Sequence, residues 1–82
     1  MEGFLVHTAE TDLLKAMAVL RRSGRPIKLS ETLCAVRTGT PAQILLDQIT
    51  AALPNANVLI ARTNGAYVRG SEPLASAAKL LG

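Results

Sequence analysis

The sequence predicts a mainly α domain with one small β-hairpin, on three observations. Apolar residues recur at helical spacing across residues 8–24, and Thr40-Pro41-Ala42-Gln43 reads as a capping box with proline at the first helical position. Asn64-Gly65 sits between two short runs of strand character, the strongest two-residue signal for a tight hairpin. The expected layout is a three-helix core, a hairpin and a short C-terminal helix. They form one domain over residues 1–82, with its core at 8–70 and the last helix within 71–82.

In the first helix Leu13, Leu14, Ala16, Met17 and Leu20 share one face, while Glu10, Asp12, Lys15, Arg21 and Arg22 lie largely off it. Thr8 or Thr11 is placed to cap it, and Gly24 to terminate it in the left-handed conformation. Pro26 forces an extended link over residues 25–29, where the Ile27 and Leu29 alternation suits a short strand. Ser30 then caps a second helix over residues 31–37, with Leu33 and Val36 inward and Cys34 near its edge.

The third helix spans Pro41 to Leu53, with Leu45, Leu46, Ile49, Ala52 and Leu53 inward and Pro54 as its stop. A turn of about three residues between the second and third helices is the spacing of a helix-turn-helix. Val58 to Thr63 and Ala66 to Arg69 form the hairpin arms, setting Thr63 opposite Ala66, Arg62 opposite Tyr67 and Ala61 opposite Val68. Leu74, Ala77, Ala78 and Leu81 line one face of the last helix, which is short enough to need a surface to lie on.

Composition narrows the function. The chain has 82 residues, a net charge of +3 and 49% hydrophobic content, but only two aromatics, Phe4 and Tyr67, so aliphatic side chains must build the core. A domain of this size buries only roughly 60% of its unfolded surface, which leaves little stability to spare. The single cysteine, Cys34, excludes an internal disulfide and a protein-only zinc site, and is expected to be a small core residue of a cytoplasmic protein. The apolar run Phe4-Leu5-Val6 is too short for a signal-peptide core. One histidine, His7, and six acidic residues without metal-ligand or paired-acid spacing point away from an enzyme, a metal or a cofactor.

Three helices with a helix-turn-helix, followed by a hairpin, resemble a winged helix-turn-helix domain over roughly residues 8–70, closest to the effector domain of winged-helix response regulators. The matching residues are the seam Leu46, Ile49, Leu53 and the turn Gly65, Ala66, Tyr67 leading into Val68 and Arg69. The resemblance implies a small transcriptional regulator that binds duplex DNA through the third helix and the wing, with Thr40, Gln43, Asp47, Gln48, Arg62, Asn64, Arg69, Lys28 and Arg37 as contacts. Gln43 and Gln48 are of the type that reads adenine edges, and the arginines and lysine of the type that meets phosphates.

In that family the recognition helix is rich in basic residues, whereas residues 41–53 here contain none and include Asp47. The alternative is a protein-interaction module that modulates a transcription factor through Ile44, Asp47, Gln48 and Ala51. Independently of the resemblance, Arg21, Arg22, Arg25, Lys28 and Arg37 form a local excess of positive charge, opposed only by Glu31 between residues 16 and 46. The last helix is expected either to close the core or to pair with a second copy as a homodimer contact.

Overall fold

A computed structural model describes residues 1–65 and 74–81. It has four strands and three helices: β1 (Glu2–His7), α1 (Leu13–Leu20), β2 (Ile27–Ser30), β3 (Leu33–Thr38), α2 (Ala42–Ala52), β4 (Leu59–Thr63) and α3 (Leu74–Leu81). The strands form one sheet in the order β2-β3-β1-β4, and every neighbouring pair is antiparallel. Thus β1 and β2 run parallel with β3 between them, and β3 and β4 run parallel with β1 between them. Two interleaved β-α-β units in the order β-α-β-β-α-β are the split arrangement of ferredoxin-like domains.

This architecture overturns the mainly α, winged helix-turn-helix expectation. Residues 31–37, read as the second helix, are instead the turn at Glu31 and Thr32 followed by β3, so no helix-turn-helix forms. The short apolar run at residues 33–36 satisfies helical and extended patterns equally well over that length. Pairing decides the outcome: β3 finds all six residues of β1, from Glu2 opposite Thr38 to His7 opposite Leu33. The strand β1 itself went unread because a central strand covered on both faces shows a continuous apolar run rather than alternation.

The other elements are nearer to expectation. The first helix is confined to Leu13–Leu20 and ends on Arg21 in helical conformation, and Gly24 does not take a positive φ. Ile27–Ser30 is a strand with a bulge between Lys28 and Ser30. The third helix stands as Ala42–Ala52, but the capping box does not close: Pro41 is the cap residue, and Gln43 donates instead to Asp47 Oδ1 at 3.0 Å. Leu45 and Ile49 are buried, Leu46 and Leu53 half-buried, and Ala52 is exposed. Leu59–Thr63 is a strand whose described partner is β1, and the return arm Ala66 to Arg69 lies outside the described residues.

Alternation along the strands creates two cores. Phe4, Val6, Cys34 and Val36 face α1 and α2, where they meet Leu13, Ala16, Met17, Val19, Leu20, Leu45 and Ile49, with Ile60 at the margin. On the opposite face Ala35 packs against Ala77 and Leu81 of α3, with Leu5 and Leu29 at the edge. The amphipathic last helix therefore closes the second face of the sheet. It sits very close: a Cβ on Gly3 would lie 2.6 Å from the Leu80 carbonyl oxygen and 2.7 Å from Leu81 Cα.

Two predictions follow from this packing. Truncating Ile49 to alanine should cost about 2 to 5 kcal/mol in urea melts, as for other buried aliphatics, whereas Ile44→Ala on the exposed side of α2 should stay within about 0.5 kcal/mol. Gly3→Val should push α3 off the sheet, at about 1 to 3 kcal/mol for the forced contact, with faster hydrogen exchange confined to α3.

Cys34 supplies a third. Burial pushes its thiol up from the ordinary 9.0 to about 11, so the folded state holds a proton that the unfolded chain releases near pH 9. Stability should therefore decline as pH rises above about 9. A thiol reagent at neutral pH should label Cys34 only on unfolding.

Candidate anion-binding site

One end of the sheet gathers the positive charge. After α1 the chain makes a tight turn through Arg21, Arg22, Ser23 and Gly24, held by amide hydrogen bonds from Arg21 to Met17, Arg22 to Val19, and both Ser23 and Gly24 to Leu20. Thr38 at the end of β3 fastens this turn to the sheet by donating its hydroxyl to the Ser23 carbonyl at 2.8 Å. The same oxygen accepts the Thr40 amide, so one buried threonine joins the α1 turn, β3 and the approach to α2. Gly24 presses against the Arg37 carbonyl, where a Cβ would come within 2.6 Å.

The result is that Arg21, Arg22 and Arg25 flank the terminus of β3 that carries Arg37, and all four side chains are exposed. Among the described residues none of the four has a carboxylate partner; the two ion pairs there are Lys28 with Glu31 and Arg62 with Glu2. Arginines at the carboxyl end of α1 also complement the negative pole of the helix, which makes the turn a favourable place to concentrate them.

The antiparallel register brings the start of β1 and the end of β4 to the same end of the sheet. Gly3 lies opposite Arg37 on one side and opposite Thr63 on the other. Arg62 Nη1 stands 3.3 Å from Glu2 Oε1, with both side chains more than half exposed. Thr63 Oγ1 lies 3.3 Å from the carbonyl oxygens of Gly3 and Leu81. Between these groups and the last turn of α3 is a depression of about 340 Å³ lined by Glu2, Gly3, Arg37, Arg62, Thr63, Asn64 and neighbouring residues.

Of the residues singled out from sequence, Arg37, Arg62 and Asn64 converge on this depression, whereas Thr40 is not part of its lining and donates its amide to Thr38. Lys28 does not join them, because its ammonium is engaged by Glu31 at 3.3 Å. Arg69 lies outside the described residues. Gln43 and Asp47 are bonded to each other on the exposed side of α2, beside exposed Ile44 and Ala51. Gln48 is half-buried, and its amide oxygen has no hydrogen-bond partner. Glu2, Gly3 and Thr63 went unnoticed as site residues because only the β1 pairings carry them there.

The exposed arginines suit this surface to anions. Phe4 is turned into the core, so the described residues offer no aromatic platform for stacking. No group of three or more His, Cys, Asp or Glu among them is placed to hold a metal ion, and no helix among them is long and apolar enough to cross a membrane. Comparison of the chain with protein-family models, curated proteins and solved structures finds no match, so the chemistry of the site rests on its own residues.

Proposed function

We propose that this domain binds nucleic acid through the phosphate backbone, using the arginine-bearing end of the sheet. The observation that carries the reading is the set Arg21, Arg22, Arg25 and Arg37, exposed, without carboxylate partners among the described residues, and carried on two segments whose backbones are tied together through Thr38 and Gly24. Guanidinium groups donate bidentate hydrogen bonds to phosphate oxygens and keep their charge at any physiological pH. With no aromatic platform among the described residues and no basic residue on α2, the contact is with backbone rather than base edges, so affinity should vary little with sequence.

A second reading, a protein contact along α2, is favoured by one feature. Ile44 is 47% exposed and Leu59 is 64% exposed, and an apolar groove lined by Ala42, Leu46, Val58, Leu59 and Ile60 runs between α2 and β4.

The two readings separate by mutation. Arg22→Glu and Arg25→Glu should each weaken binding to a fluorescent duplex of arbitrary sequence. Each should also flatten the slope of log affinity against log salt by about one unit per lost phosphate contact. Lys15→Glu, which makes the same charge change at the opposite end of α1, should have little effect. An equal loss from Lys15→Glu would show attraction by net charge alone and sink the site. Ile44→Asp should leave nucleic acid binding unchanged, and abolition of it would move the contact to α2.

A further inference from the structure

The depression at the end of the sheet has chemistry of its own. Strand alternation sets Gly3, Arg37 and Thr63 on the α3 side and Glu2 and Arg62 on the α1 and α2 side, and the depression wraps the end of the sheet so that both sets line it. Its volume, about 340 Å³, is roughly ten times the ~30 Å³ that one water takes up in the liquid. An anion already stands on one wall, namely the Glu2 carboxylate against Arg62.

That internal pair is a loose one. Its single contact of 3.3 Å is longer than the roughly 2.7 to 2.9 Å of a good charge-assisted hydrogen bond, and both side chains are open to water. Exposed pairs of this kind contribute little and are readily exchanged. Arg37, on the other wall, has no carboxylate partner among the described residues, and Asn64 lines the depression with a neutral amide, while the Thr63 hydroxyl is spent on the Gly3 and Leu81 carbonyls.

We infer that this depression seats a phosphoryl group between Arg37 and Arg62, and that Glu2 is the internal anion which the phosphate must displace from Arg62. The inference rests on the backbone-binding reading for its biological ligand, and it adds a defined phosphate position and a built-in competitor to that reading. A phosphate offers three or four acceptor oxygens and up to two charges where Glu2 offers one contact, so it can replace Glu2 at Arg62 and still present oxygens toward Arg37, which lines the same depression. The seat continues the surface formed by Arg21, Arg22 and Arg25 across the sheet end.

The test is a titration of the intact ¹⁵N-labelled chain with inorganic phosphate, following the arginine Nε–H signals and the amides of Gly3, Thr63 and Asn64. Shifts at Arg37, Arg62 and Asn64 are expected. Glu2→Gln should tighten phosphate binding about threefold or more, and Arg37→Gln should weaken it at least as much. These residues are at the surface, and unchanged amide spectra elsewhere would verify folding. Shifts confined to Arg21, Arg22 and Arg25, or an affinity indifferent to Glu2→Gln, would overturn the seat.

Oligonucleotides with and without a 5′-phosphate distinguish the sources. A preference for the phosphorylated end places a strand terminus in the seat, and equal binding with the same Glu2→Gln response places an internal phosphodiester there. Oligonucleotide binding without movement at the seat would remove this inference and leave the backbone reading standing. Phosphate binding at the seat without oligonucleotide binding would do the reverse.

Discussion

The pairing of β1 on both of its edges is the constraint on which the rest of the molecule depends. Glu2–His7 is bonded to β3 along one edge and to β4 along the other, joining segments from the first half of the chain to one near residue 60. Because β1 is central, both its faces must leave water. Phe4 and Val6 demand one apolar layer and Leu5 another, which is why two helices cover the first face and a third covers the second. For a chain of 82 residues with almost no aromatic content, this sandwiching draws two cores from one sheet.

The two cores are unequal, and their difference shapes the sheet end. The larger one interlocks Leu, Ile, Val and Met side chains from α1 and α2 with Phe4. The smaller one is built of alanine and leucine and depends on close approach, with the final turn of α3 lying directly on Gly3. That approach gives the depression its floor, and the Thr63 hydroxyl bridges strand and helix there. A side chain at position 3 would remove α3 and the depression together, so packing and site share one glycine.

Charge placement follows from the same geometry. The turn after α1 must descend to start β2 beside the end of β3, and the buried Thr38 hydroxyl holds it there. The turn that carries Arg21, Arg22 and Arg25 is then held against the end of β3 that carries Arg37, although more than ten positions separate them in sequence. Elsewhere the surface is of another kind, since exposed α2 carries Ile44, Ala51 and the self-bonded pair Gln43 and Asp47. The domain thus presents a cationic end and a nearly uncharged helix, two surfaces suited to different partners.

By itself the sequence determined the elements whose cause is local. Leu13–Leu20 and Ala42–Ala52 are helices because apolar residues recur at 3.6-residue spacing, Leu59–Thr63 is extended because it is rich in apolar and β-branched residues, and Leu74–Leu81 is amphipathic over its whole length. It also singled out Arg37, Arg62 and Asn64, residue types whose charge or polarity marks them anywhere. Tertiary structure alone decided that residues 2–7 and 33–38 are strands, because what favours extension there is hydrogen bonding to each other across some thirty intervening residues. It alone recruited Glu2, Gly3 and Thr63 to the site, since their neighbourhood is a matter of register. No local pattern records which edge a strand will find, and that choice replaced an expected three-helix core with a sheet whose end carries the charge.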